Sequence, residues 1–302
     1  MATETDERTE PAERTDEEFG DRLIDWRTRE QLLQVGLYGT AALMLLFLWV
    51  PLLVIVFLSF TESPNLLPFE GFTLYNYTRV PGEADLQSSV VTSFGIATLS
   101  ATIATAIGVL ASFALTRYRF RFRELYRTFG IVPMIIPGVI LGVGLRFYFQ
   151  FLLPVEPGFL ATVLTHSLYG LPFVLLIVTA RLYTFDESLE EAARDLGADP
   201  LTTFRDVTFP VIAPAIAAGF LFAWVRSFED YIRALFVSGV EVTPLTQWMF
   251  GKITKASAEN LNLLNSVSTL VVLVIAIALA AAMNYGNVSG YVAGTAHEDE
   301  EE

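Results

Sequence analysis

Apolar residues in this chain gather into long runs broken by short polar stretches, with neither the strict alternation of a strand nor the single stripe of a surface helix. Six runs stand out, at about 35–60, 88–116, 129–151, 159–183, 211–238 and 264–283. Roughly 18–20 apolar residues cross a hydrocarbon core about 30 Å thick, and each run is long enough to span with some tilt. The expected fold class is therefore all-α: a polytopic membrane protein with about six transmembrane helices. The second run, "SSVVTSFGIATLSATIATAIGVLASFALT", is rich in Ser, Thr, Ala and Gly, which predicts close helix–helix contact rather than a lipid-facing surface. The third carries Pro133 and Pro137 and is read as one crossing. No fixed-period repeat is visible.

The loops set the orientation. Between the second and third runs lies "TRYRFRFRELYR", with Arg117, Arg119, Arg121, Arg123 and Arg127. Residues 61–87 offer Arg79 against Glu62, Glu70, Glu83 and Asp85. Arginine excess marks the cytoplasmic side, so both termini and the 186–210 segment are expected there. The arginine cluster is read as a topology signal in contact with anionic membrane lipid, and not as a nucleic-acid site. The organisation expected is an acidic cytoplasmic tail (1–34), a first crossing with an external loop (35–87), a transmembrane core (88–285) and a second acidic cytoplasmic tail (286–302).

Composition narrows the chemistry. Apolar residues make up 53% of the chain and mean hydropathy is +0.50, above the range of soluble domains. Without cysteine there is no disulfide, thiol nucleophile or Cys-ligated metal, and two histidines, His166 and His297, do not make a histidine-rich metal site. The net charge of −14 is concentrated at the ends, in "MATETDERTEPAERTDEEFGD" and "HEDEEE", while lysine occurs only at Lys252 and Lys255. The plain reading is a pair of disordered, solvating tails. The sharper one is adaptation to high salt, which ordinary lysine content in cytoplasmic proteins of the same cell would refute. No cleaved signal peptide is expected, because an acidic leader precedes the first run.

One charged stretch, "EEAARDLGADPLTTFRDVTFP" (Glu190 to Pro210), separates two apolar runs and has helix signals of its own. Acids suit the start of a first helix over 186–196, and Gly197 sits where a C′ glycine belongs. Asp199 offers an N-cap oxygen, and Pro200 occupies the first position of a second short helix ending near Pro210. A helix–turn–helix elbow lying along the membrane face is expected, with Ala192 and Ala193 leaving a shallow surface and Phe204, Val207 and Phe209 making apolar contacts. A bland alternative is an interfacial helix pair that merely joins two crossings.

Glu191-Ala192-Ala193, three residues, Gly197, nine residues and Val207-Thr208-Phe209-Pro210 resembles the EAA loop of ATP-binding-cassette importer permeases, with Val and Phe for that pattern's Ile and Leu. The likeness runs from about Ser88 to Tyr285. "THSLYGLPF" is similar to the family's histidine followed by proline, here His166 and Pro172. "TRYRFRFR" and "SFEDY" resemble segments of polyamine permeases, with Glu229 in place of an aspartate. The resemblance implies a type I importer fold whose elbow seats on a cytoplasmic ATPase dimer. The coupling residues it implies are Glu191, Ala192, Ala193, Gly197, Thr203, Arg205, Val207 and Pro210. It also implies a second permease subunit, homologous or a second copy, and an extracytoplasmic substrate-binding protein. No G-x-x-x-x-G-K-[ST] loop occurs in this chain, so no cofactor is expected on it and ATP and Mg belong to the partner ATPase.

The fifth run carries Arg226, Glu229, Asp230 and Arg233, and the spacings 226→229, 226→230, 229→233 and 230→233 are each i,i+3 or i,i+4, which predicts a charged ladder along one side of a helix. Intramembrane charges face a bundle interior or a water-filled cavity. Two readings stay open: a self-neutralised structural quartet, or, by resemblance, a pathway in which Glu229 and Asp230 pass a cationic solute. Asp230→Asn is expected to lower transport and leave assembly intact. His166 joins this pathway set, read as a bundle hydrogen-bond partner rather than a ligand. Arg146 is read as reaching the interface. The outer segment around Trp248, Met249 and Phe250 is read as interfacial aromatics, and by resemblance as part of a receptor-docking face. An enzyme is disfavoured, with neither H-E-x-x-H nor G-x-S-x-G present. The remaining alternative is a secondary transporter or channel without an ATPase partner.

Overall fold

The computed structural model describes residues 14–65, 69–255 and 257–285. In chain order its main helices are α1 (Arg14–Ser59), α2 (Ala84–Arg117), α3 (Arg123–Ile135), α4 (Gly138–Phe151), α5 (Phe159–Tyr183), α6 (Ser188–Asp195), α7 (Pro200–Phe228), α8 (Ile232–Val237), α9 (Leu245–Thr254) and α10 (Ala258–Tyr285). Among the described residues the remaining regular structure is single helical turns and an isolated bridge between Thr61 and Phe72. The chain divides into two units, one ending at Leu58 and the next beginning at Ser59.

The first unit is supplied by α1, whose stretch Leu33–Ser59 is long and apolar enough to cross a membrane. The acidic leader is not a separate coil from Arg14 onward, because it is the first part of this same helix. Between Arg14 and Gln34 there is one glycine and no proline, and acids precede arginines by four residues, an order that favours helix. The rest of the expected tails, 1–13 and 286–302, lies outside the described residues.

The second unit is built on α2, α5 and α7. The small residues of α2 form the predicted contact face: Ser93, Ala97, Ser100, Ala104, Gly108 and Ser112 recur at three or four residues and are all buried. At Gly108 the approach is so close that a Cβ would lie 2.8 Å from the Val174 side chain of α5. Gly170 of α5 fits between Ala104 and Ala223, whose Cβ atoms would be 3.3 and 3.2 Å from its own. In lipid, such close packing is what drives helices together.

Two runs read as single crossings are broken. The third is α3 and α4, bent by 109°. Pro137 is the cause: it forces Ile136 to extended backbone (ψ 129°) and ends α3. The fifth run ends as α7 at Phe228, passes through Glu229–Tyr231 and resumes as α8. Gly142 allows α4 to lie directly on α8, since a Cβ there would sit 2.8 Å from Phe236 and 3.3 Å from the Arg233 Cα. Among the described residues five helices are long and apolar enough to span, or six crossings if the α3–α4 pair counts as one. Around α9, Trp248 is 6% exposed and packs with Leu86, Leu245, Leu263 and Val267. It is therefore a core residue and not the interfacial aromatic the sequence suggested. The reason is that α9 folds back onto α2, where the Ser93 hydroxyl accepts the Leu245 amide at 2.7 Å.

Candidate functional site

Two constellations gather the residues singled out by sequence. The first is the elbow. Helix α6 ends with the Leu196 amide on the Ala192 carbonyl, and Gly197 follows at φ +90°, the left-handed turn that glycine accepts most easily. The Asp199 Oδ1 accepts the Thr202 amide at 2.7 Å, capping α7, with Pro200 as its first residue. That hydrogen bond holds the Asp199 carboxyl below the usual carboxylate range. Asp186 is held low in the same way by Ser188, whose hydroxyl and amide both donate to it.

The second arm departs from expectation. It is no separate short helix but runs into the crossing as part of α7, through a wide π turn over Phe204–Thr208. Pro210 accounts for the widening: its ring cannot pack against the carbonyl of residue 206 and it has no amide, so the Phe209 amide reaches back to Phe204 instead. Glu191, Ala192, Gly197, Arg205 and Pro210 are exposed, while Ala193 and Val207 are half-buried, with Val207 against the α2–α5–α7 core. Thr203 is 4% exposed and lies on the inner side of the arm. It therefore does not belong to the surface that the elbow offers a partner, since the helical turn pointing Arg205 outward points Thr203 inward.

Behind this surface is a contact set that motif spacing did not reveal. Glu190 Oε1 accepts from Arg117 at 3.0 Å and from the Thr208 hydroxyl at 2.6 Å. Arg117, the last residue of α2, also reaches Glu187 at 2.7 Å, and its guanidinium lies over the Phe185 ring.

The second constellation is buried where α7 breaks. Asp230, Arg233 and His166 are 7%, 9% and 3% exposed. Arg233 donates to Asp230 Oδ1 at 2.7 Å, and His166 Nε2 lies 3.1 Å from Asp230 Oδ2. His166 Nδ1 is 2.8 Å from the Ser227 hydroxyl, which accepts from Ser100 at 2.9 Å. These contacts run from Ser100 through Ser227, His166 and Asp230 to Arg233 and so tie α2, α7, α5 and α8 together. The Arg233 guanidinium sits 3.4 Å from the Tyr169 ring centroid.

The expected ladder is therefore split. Because the helix stops at Phe228, Asp230 and Arg233 turn into the bundle, whereas Arg226 and Glu229 pair with each other at 37% and 49% side-chain exposure. Arg226 also donates to the Tyr169 hydroxyl. Sequence reasoning named His166, Asp230 and Arg233 but missed Ser100, Ser227 and Tyr169, whose only signal was a polar side chain inside an apolar run. Arg146 lines an open cleft of about 590 Å³ with Pro157, Phe236 and Glu241.

With this geometry in view, residues 104–288 match the family model described as "Binding-protein-dependent transport system inner membrane component". That range holds the whole elbow and every cluster residue but Ser100. Over 232 residues the chain is 32% identical to the spermidine/putrescine transport system permease protein PotC of Escherichia coli (strain K12), covering 77% of this chain and 88% of the relative. It is 34% identical over 224 residues to the putrescine transport system permease protein PotI of the same strain, covering 72% and 80%. A chain in the crystal structure of a bacterial ABC transporter that imports the acidic polysaccharide alginate superposes with a TM-score of 0.65 at 17% identity. The match covers 92% of this chain and 100% of that one, and at such identity it shows the fold alone.

Proposed function

The chain belongs to the family of binding-protein-dependent transport system inner membrane components, and from that premise we propose what it carries, what it meets and which way it faces. It is the multi-pass permease subunit of an ABC importer. The solute is a polyamine or a similar small organic solute. The elbow, residues 186–210, lies on the cytoplasmic side with both termini and seats against a separate ATPase dimer that holds ATP and Mg. A second permease subunit, homologous or a copy, completes the pathway, a substrate-binding protein delivers solute on the outer side, and membrane lipid surrounds the crossings.

One observation carries this reading: the exposed motif residues sit on a capped hairpin whose second arm is continuous with a crossing. A push on Glu191, Ala192 or Arg205 thus reaches α7 through backbone hydrogen bonds. The driving free energy is the difference in the ATPase dimer's affinity for the inward-open and outward-open states. For the solute, support comes from the names of the relatives and from the half-exposed Glu229 carboxylate. Asp230 is held by Arg233 and His166, which favours a structural role for it within the pathway wall.

The test is to tag this chain, co-express it with a candidate ATPase, second permease and receptor from the same cell, and purify. An ATPase should co-purify, and proteoliposomes should take up labelled putrescine or spermidine only with ATP and loaded receptor. A chain that purifies alone and carries solute without ATP would overturn the importer reading. ATP-driven uptake of another solute would overturn the polyamine assignment alone.

A further inference from the structure

An elbow that works as a lever has a weak point at its own corner. Helix α6 and helix α7 are joined by Leu196–Asp199, and Gly197 there has a left-handed φ of +90° with nothing within 4 Å of where a Cβ would be. A free glycine corner would absorb a push instead of transmitting it. The structure bridges that corner from behind. Glu190, one residue before the exposed motif, turns inward on α6, its side chain 13% exposed. Its Oε1 accepts the Thr208 hydroxyl on the far arm at 2.6 Å, and the same oxygen accepts from Arg117 at the end of α2 at 3.0 Å. Its Oε2 is 3.3 Å from Arg194.

We infer that Glu190 is a positioning residue that locks the two arms of the elbow into one rigid body and fastens that body to a third crossing, α2. The inference rests on the elbow being the coupling element. Thr208 is 2% exposed and belongs to the π turn, where the wide backbone brings its hydroxyl to α6. Arg117 holds both Glu187, the residue just before α6, and Glu190 in its first turn, with its guanidinium 5.2 Å from the centroid of the buried Phe185 ring. Charge-assisted hydrogen bonds on a partly buried carboxylate are stronger and more directional than solvent-exposed pairs. A push on α6 thus moves the start of α7 through Thr208 and the end of α2 through Arg117, so more of the bundle follows than the two crossings that the elbow joins covalently.

The absence of cysteine makes the test direct. Spin labels at Tyr118→Cys and Leu201→Cys, both exposed positions, report the distance from the end of α2 to the second arm. In the assembled transporter that distance should be one narrow distribution, the same with and without trapped ATP. Glu190→Ala should broaden it and reduce solute moved per ATP hydrolysed by about tenfold. Glu190→Gln, which keeps an oxygen for Thr208 and loses the charge for Arg117, should fall between. If Glu190→Ala does not assemble, Thr208→Val removes only the bridging hydroxyl and should broaden the same distribution. Unchanged label distances and an unchanged uptake-to-ATP ratio in these variants would overturn the inference. A wild-type complex without ATP-driven uptake would sink the importer reading alone, because label broadening reads the bridge without transport.

Discussion

The elbow and the buried cluster draw on the same residue types at the same helical spacings and use them in opposite ways. On the elbow Glu191, Arg205 and Asp206 stand in water, where an ion pair such as Arg205 with Asp206 at 3.9 Å adds little. Its specific polar work is done by hydrogen bonds to backbone, as at Asp199, and by the carboxylate of Glu190 behind the surface. In the cluster, Asp230 and Arg233 have left water altogether, and each is tolerable only because of the other. The contrast teaches where damage appears. Changes on the elbow should uncouple a transporter that still folds, whereas changes in the cluster should unfold it before transport can be judged.

The largest test of that contrast is Asp230→Asn. The sequence led to the expectation that this change lowers transport and spares assembly, but the structure revises it. Asparagine keeps the shape and strips the charge, leaving Arg233 buried without a counterion. Breaking one side of a buried pair costs about 3–5 kcal/mol, so a marked fall in the thermal unfolding midpoint of the purified chain should accompany lost uptake. Asp230→Asn with Arg233→Met should recover much of it. An unchanged midpoint in the single variant would erase the distinction between the two regions.

A pair of glycines sharpens the same point at smaller scale. Gly142→Ala drives a methyl to 2.8 Å from Phe236 and 3.3 Å from the Arg233 Cα, an overpacking cost of about 1–3 kcal/mol. Gly197→Ala meets open space, so its cost is that of left-handed backbone alone, about 1–2 kcal/mol. Unfolding of the first should be visible in the membrane core and of the second only at the elbow, by hydrogen exchange. Smaller again is Arg226→Gln. Its pair with Glu229 is at least a third exposed on each side, which limits the loss to about 1 kcal/mol or less. A destabilisation as large as that of Asp230→Asn would mean the outer pair belongs to the buried network after all.

Much of this was legible in the sequence, and the failures have physical causes. The capped elbow could be read because its signals are local: a glycine, an Asp-Pro and an acidic first turn each act within a few residues. The small-residue face of α2 could be read because 3.6-residue periodicity is a property of one helix. The bend at Pro137 was blurred because a hydropathy window averages across two short apolar helices. The break after Phe228 had no local sign at all, since "SFEDYIRALF" has neither glycine nor proline. Tertiary contacts fix it, with His166 and Arg233 holding the Asp230 side chain and the Thr246 hydroxyl donating 3.0 Å to the Asp230 carbonyl. Glu190 was invisible for a related reason. Its partners lie 73 and 18 residues away, and its neighbour Glu191 carries the recognisable motif.

The smallest expected effect isolates the elbow from the bundle by acid. The Thr202 amide holds the Asp199 carboxyl below the ordinary value of about 3.9. A depressed carboxylate stabilises the folded form above its unfolded pKa, and that contribution is lost as pH falls through the folded value. The cap on α7 should therefore persist through neutral pH and begin to fail only below about pH 4. Asp199→Asn keeps a capping oxygen that does not titrate. Pepsin cleavage within the elbow, taken as the ratio of unaltered to Asp199→Asn protein at each pH, should stay flat down to about pH 4 and rise below it. A ratio that stays flat throughout would mean the α7 start is held by Pro200 and the Glu190 bridge rather than by its cap. The elbow would then depend, like the cluster, on a partly buried charge.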